Sequence, residues 1–125
     1  MSHKFLISII DDDRPFRESM RRLMRSLGYR VDDFPSAAAF LTSSQRTETA
    51  CLITDIHMPA MNGFELHRHL IDTGQRIPTI LVTAYPTEVD RSRALKDGVV
   101  CYLGKPIDEQ NLSQCLRSAL SFTPP

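Results

Sequence analysis

The sequence has no surplus of charge: 15 Lys and Arg stand against 15 Asp and Glu, a formal net charge of zero. The strongly basic footprint of a nucleic-acid binder is missing, which argues against direct DNA or RNA contact. Cysteine is scarce. Cys51, Cys101 and Cys115 are odd in number, have no paired spacing, and two of them lie in apolar runs. Burial of reduced thiols as small hydrophobes is therefore expected ahead of metal or redox work. An N-terminal signal pattern and a membrane-length apolar run are also lacking, so the expectation is a cytoplasmic protein without membrane contact.

What is there suits one domain. The 125 residues are 42% apolar and 24% charged, enough for a core and too few for two domains. Residues 1–122 are expected to form that domain, with 123–125 a tail or linker stub, and His3 is expected in a mobile terminus.

Phe5-Leu6-Ile7-Ser8-Ile9-Ile10 reads as a strand buried on both faces and stops at Asp11-Asp12-Asp13. Asp13 is a candidate N-cap and Pro15 suits a first helical turn. Phe16, Met20, Leu23, Met24 and Leu27 then follow at helical spacing, with Gly28 just past the end. Tyr29 to Phe34 alternates as a shorter strand nearer an edge. Ser36 caps a helix from about Ala37 to Ser43, and the polar stretch from Ser44 to Thr49 reads as a loop. Ala50 to Thr54 is the central strand and leads into Asp55-Ile56-His57-Met58-Pro59.

Phe64, His67, Leu70 and Ile71 make the next helix, closed by Gly74. Thr79 to Val82 is a fourth strand, and Thr87 opens a helix that Gly98 ends. Val99 to Leu103 is the fifth strand, finishing at Gly104-Lys105-Pro106. A last helix capped by Asp108 carries Leu112, Cys115, Leu116, Ala119 and Leu120. Strand and helix alternate five times, the pattern of an α/β doubly wound parallel sheet.

In such a sheet the carboxyl ends of the strands share one edge, so Asp11-Asp12-Asp13, Asp55, Thr83 and Lys105 are expected in a single crevice. Each alone has a bland explanation: a solvated acidic turn, a strand-terminal threonine, a Lys-Pro loop. Their joint placement after four strands is harder to dismiss. Several carboxylates around one lysine call for a cation, and Mg²⁺ with its preference for oxygen ligands is the natural one. Asp55 can then act as a nucleophile that accepts a phosphoryl group as an acyl phosphate, with a threonine hydroxyl, a backbone N–H and a lysine ammonium on the phosphoryl oxygens.

Those motifs, Asp11-Asp12, Asp55 within Asp-Ile-His-Met-Pro, Asn62-Gly63, Thr83-Ala84 and Lys105-Pro106, stand in order at the right spacings from about Lys4 to Leu120. The sequence thereby resembles a receiver domain of the two-component response regulators. The resemblance implies a flavodoxin-like sheet of order 2-1-3-4-5 with five helices. It implies that Asp55 is phosphorylated from the phosphohistidine of a sensor histidine kinase or a phosphotransfer protein. Asp12, Asp55 and the His57 main-chain carbonyl would bind Mg²⁺ directly, and Asp11 through water. Thr83 and the Ala84 N–H would contact the phosphoryl group, and Lys105 would pair with it. Tyr102 would be the aromatic switch, rotating inward as Thr83 moves toward the phosphate and changing the face of the fourth helix, fifth strand and fifth helix.

Three features depart from the commonest family pattern: Ile107 after Lys-Pro, the small Gly104, and the bulky Tyr85-Pro86 after Thr83. The His57 and Tyr85 side chains are expected to flank the path of the hydrolytic water. A ring-bound metal at His57 is not expected, nor a metal clamp from His67 and His69, which sit two apart on a helix. On the output face, Arg91, Arg93, Lys96, Asp108, Glu109 and Arg117 form either a solvated charged surface or one for a partner or second copy.

The favoured function is a signalling switch that catalyses its own phosphoryl transfer and autodephosphorylation without being a conventional enzyme. It would act through a downstream protein partner or an output domain of a longer chain. One alternative is an aspartyl-phosphate phosphatase of the haloacid-dehalogenase type, with Asp11 as nucleophile and Asp13 completing a DxD motif, which leaves Asp55-Ile-His-Met-Pro unexplained. Another is a degenerate receiver used only as a protein-binding module.

Overall fold

Five parallel strands form one sheet of order β2-β1-β3-β4-β5, seen in a computed structural model that describes residues 5–121. The strands are β1 (Leu6–Ile10), β2 (Arg30–Phe34), β3 (Thr49–Asp55), β4 (Thr79–Thr83) and β5 (Cys101–Gly104). Between and after them come α1 (Arg14–Ser26), α2 (Ala37–Leu41), α3 (Gly63–Asp72), α4 (Glu88–Lys96) and α5 (Glu109–Leu120). The expected order and the doubly wound alternation are both present. His3 and the tail at 123–125 lie outside the described residues.

The continuous apolar runs are the strands covered on both faces. Every residue of β1 and β4 is buried, whereas β2 pairs only with β1 and stays half-exposed. One core layer packs Ile7, Ile9, Ile53 and Val82 against Met20 and Met24 of α1 and Leu112 and Leu116 of α5. On the other face Ile10, Leu52, Phe40, Leu66 and Leu70 pack together, and Ile56, Phe64, Leu81 and Tyr102 form a third cluster.

Several local expectations need correction. Asp13 occupies the N-cap of α1, but its side chain makes no cap bond. Its own N–H donates instead to Asp11 Oδ1 at 2.9 Å, so the acidic run caps itself one step earlier. Leu27 is 39% exposed, off the core face. Helix α2 ends at Leu41, and the polar stretch after it is a 3-10 helix over Ser44–Glu48, with the Ser43 hydroxyl accepting from Gln45 N–H. Thr49 already belongs to β3, where its hydroxyl meets that of Ser8 at 2.7 Å. Strand β5 starts at Cys101, two residues later than the apolar run suggested.

Cysteine shows the largest departure. Cys51 is buried and free, as expected, and burial pushes its thiol up to about 12. Cys101 and Cys115 form a disulfide that ties β5 to α5. Nothing in the spacing signals this pair. It arises because α5 folds back along the strand it follows, bringing residues 14 apart to a Cα separation of 6.1 Å.

Candidate functional site

The parallel register carries four polar side chains to one edge. Asp11 follows β1, Asp55 and Thr83 end β3 and β4, and Lys105 follows β5. Asp55 is paired with Val82 and Thr83 with Gly104, so neighbouring strands stop at nearly the same height. Asp11, Asp55 and Thr83 are all buried, at 1%, 5% and 0% exposure, while Asp12 is exposed.

Lysine closes the group. Lys105 Nζ donates to Asp11 Oδ2 at 2.7 Å and lies 3.4 Å from Asp55 Oδ1. Its peptide bond to Pro106 is cis, and its own N–H donates to the Thr83 carbonyl at 2.8 Å. One oxygen each from Asp11, Asp12 and Asp55 lie within 4.8 Å of one another. These are hard oxygen donors of high negative charge in a small space, a donor set that suits a divalent cation such as Mg²⁺.

The local charges point the same way. Burial raises the Asp55 pKa above the ordinary carboxylate value, and repulsion from Asp11 raises it further; Lys105 and His57 pull it partly back. Burial alone would lower the Lys105 pKa. The hydrogen bond and charge of Asp11, with help from Asp55, outweigh that and hold it above its usual value. One ammonium thus serves two buried carboxylates, and negative charge remains in excess.

The backbone around these groups is braced. Asp11 N–H donates to Phe34 O at 3.1 Å, and Arg17 Nη1 donates to Asp11 O at 2.7 Å. Asp33 of β2 accepts from Arg17 Nε and Arg21 Nη1, each at 2.8 Å, which fastens α1 beside the acidic turn. After Asp55, Ile56 N–H donates to Val82 O and Ile56 O accepts from Gly63 N–H, both at 3.0 Å. Asn62 caps α3 through a reciprocal box with Glu65. A Cβ on Gly63 would stand 2.7 Å from Asp55 O, so the helix approaches the strand end as closely as glycine permits.

Around the rim, Thr83 Oγ1 accepts from Tyr85 N–H at 3.0 Å, and Ala84 is exposed. Tyr102 is already inward, at 3% exposure, where an inward rotation accompanying Thr83 was expected; its hydroxyl accepts from the N–H of Thr87, the N-cap of α4, at 3.0 Å and holds it there. The His57 and Tyr85 rings meet edge to face at 5.9 Å above the strand ends, both exposed. Gly104 and Pro86, separate oddities in the sequence, are one feature in space: a Cβ on Gly104 would meet Pro86 Cγ at 3.2 Å. The small residue makes room for the stiff one.

A match to the response regulator receiver domain family model spans residues 7–117. The chain belongs to that family. It is 36% identical over 119 residues to the response regulator protein TmoT of Ectopseudomonas mendocina, covering 95% of this chain and 54% of that protein. It is 31% identical over 115 residues to the transcriptional regulatory protein FixJ of Rhizobium meliloti, covering 92% of this chain and 56% of that one. The crystal structure of FixJ-N superposes with a TM-score of 0.87 at 28% identity over 99% of both chains. The response regulator StyR gives 0.84 at 35% identity over 95% of this chain and 60% of that one. This receiver domain therefore spans about half the length of the curated relatives it matches.

Asp11, Asp12, Asp55 and Lys105, singled out in the receiver's sequence, come together at this edge. His67 and His69 lie away from it on α3, with His67 buried and His69 half-exposed. A cavity of about 860 Å³, lined by His67, Leu70, Ile77 and Val99, is at the opposite edge of the sheet. Along α4 the local pairing of charges is present: Arg91 lies 3.7 Å from Glu88 and Arg93 4.0 Å from Asp97, and both guanidiniums also sit over rings, of Tyr102 and Phe64. Sequence reasoning missed Phe16, taken only as core, whose ring faces Lys105 Nζ. It also missed Arg17 and Asp33. Their signal was weak, a charged pair split between a helix and an edge strand.

Proposed function

We propose that this receiver domain takes a phosphoryl group onto Asp55 from the phosphohistidine of a histidine kinase or phosphotransfer protein, the partners of receiver domains. The observation that carries the reading is Lys105 bridging Asp11 and Asp55 beside a third carboxylate, at the ends of β1, β3 and β5. An Asp55 oxygen attacks phosphorus, the P–N bond breaks, and its electron pair returns to the donor imidazole. The product is an acyl phosphate. Lys105 follows the charge from the carboxylate to a phosphoryl oxygen, and the Thr83 hydroxyl and Ala84 N–H receive the other oxygens. Asp12, Asp55 and the His57 carbonyl would hold Mg²⁺ directly and Asp11 through water; the ion, when bound, offsets phosphoryl charge.

Thr83 Oγ1 accepts from Tyr85 N–H, so movement of Thr83 toward the phosphoryl group pulls on the start of the loop to α4. Tyr102 grips the far end of that loop through Thr87. Movement at Thr83 is thus passed to α4, β5 and α5, a shift between two packings of one fold. His57 and Tyr85 gate water access to the acyl phosphate. The natural setting is the cytoplasm, and the output is a downstream protein or a further domain, as the greater length of the relatives suggests. No helix of the described residues is long and apolar enough to cross a membrane.

The phosphatase alternative needs Asp11 as nucleophile. Its two oxygens are both engaged, by Asp13 N–H and by Lys105, which disfavours attack. The test is mass spectrometry after incubation with acetyl phosphate, with and without Mg²⁺, beside Asp55→Asn. One phosphate on Asp55, dependent on Mg²⁺ and lost in the variant, is expected. Phosphate on Asp11 would reverse the assignment; no adduct at all, together with no stable beryllofluoride complex, would favour a binding module.

A further inference from the structure

Lys105 presents three N–H bonds: one donates to Asp11 Oδ2, and Asp55 Oδ1 lies on a second side as an ion pair at 3.4 Å. The third side of the ammonium faces a ring. Phe16 lies with its centroid 4.1 Å from Nζ, well inside the range at which a cation is attracted by an aromatic face. The lysine side chain is 18% exposed, so the contact is partly shielded from water, where such attractions are stronger.

The ring is not free to drift. Phe16 is in the first turn of α1, directly after Pro15, and packs against the core layer of β1, α1 and α5. The next residue, Arg17, ties that turn to the Asp11 carbonyl and to Asp33. Asp11 and Phe16 therefore belong to one braced unit, and Lys105 enters it from the far end of the chain.

We infer that Phe16 is a positioning residue for phosphoryl transfer: its π face, together with Asp11, holds the Lys105 ammonium in place as Asp55 becomes phosphorylated. Two of the three contacts stay as they are when Asp55 turns from carboxylate into acyl phosphate. Nζ then meets the incoming phosphoryl oxygen without having to be reoriented. A leucine at 16 fills similar space but offers no negative face, and water or a different rotamer takes the third side. The role rests on the phosphoacceptor function proposed for Asp55.

The test joins a structural readout to a kinetic one in the full chain. In the ¹H–¹³C spectrum, the Lys105 ε-methylene should be displaced upfield by the ring current and return toward the ordinary lysine position in Phe16→Leu. Phenylalanines with one, two and three ring fluorines, placed at 16, keep the shape and progressively weaken the π face. Their rates of Asp55 phosphorylation by acetyl phosphate with Mg²⁺ should fall stepwise, by about five- to tenfold at three fluorines, with Phe16→Leu at least as slow. A purely structural role would leave the fluorinated series level with the native chain. Equal rates across the series, or no ring-current displacement, would overturn the inference while leaving Asp55 as acceptor. A native chain that takes no phosphate, with the displacement intact, would overturn the function proposed for Asp55 and the role of Phe16 with it.

Discussion

Replacing Gly63 with alanine probes how closely α3 is pressed onto the phosphoacceptor strand. The new Cβ would stand 2.7 Å from Asp55 O and 3.1 Å from Ile56 Cα, against ordinary contact at 3.4 Å or more. Both near atoms are backbone, so no flexible side chain can yield; Leu81 Cδ2 at 3.2 Å closes the third side. Overpacking of this kind costs about 1–3 kcal/mol, and rigid neighbours put Gly63 at the upper end. Alanine recovers up to ~1 kcal/mol of helix propensity. The net is a loss of about 2 kcal/mol, or roughly 8 °C in Tm for a chain of this size. The assay is urea and thermal unfolding beside Gly98→Ala, where φ is +91° and a Cβ meets nothing within 4 Å, so that only backbone strain of about 1 kcal/mol is felt. The clash also pushes on the Asp55 peptide, so phosphorylation by acetyl phosphate should slow in Gly63→Ala and hold in Gly98→Ala. A Gly63→Ala chain as stable as the native one would refute the close-packing argument.

Enlarging Gly104 to valine should drive Pro86 off β5 and loosen the loop between β4 and α4, read as faster amide exchange at Thr87 and Asp90, whereas Gly104→Val with Pro86→Ala should recover protection. Thiol titration should find one reactive cysteine, Cys51, and only after unfolding; reducing the Cys101–Cys115 bridge should cost ~3 kcal/mol in urea unfolding. His67 is buried, its Nδ1 has no hydrogen-bond partner among the described residues, and burial lowers its pKa below 6.5 despite the opposing charge of Asp97. The unfolded chain therefore takes the proton first, so the His67 contribution is full above about pH 6.5 and is lost as pH falls toward the lowered value, a slope that His67→Gln should remove. Alanine at His57 or Tyr85 should change the lifetime of phosphorylated Asp55, and unchanged lifetimes in both variants would sink the water-path role.

Much of the fold is legible in the chain because its signals are local. Apolar runs that stop abruptly at Asp11, Asp55 and Thr83 mark strands covered on both faces, and Ser36, Thr87 and Asp108 each cap the helix expected of them. The misses fall where a contact across the sheet or the end of a helix overrides the local pattern. Thr49 looks polar, but its hydroxyl finds Ser8 across the sheet, so the strand begins earlier than composition suggests. Leu27 fits the helical period, yet α1 ends beneath it and the residue turns out to solvent.

Chain order by itself determines that the acidic turn, Asp55, Thr83 and Lys105 share one edge, since parallel strands all end on the same side. It says nothing of which side chains then touch. The contacts of Lys105 with Asp11 and Phe16, of Gly104 with Pro86, of Arg17 with Asp33 and of Cys101 with Cys115 follow from how helices lie on the twisted sheet. Helix placement is set by packing across the whole core, and no residue carries that geometry in its own identity or spacing.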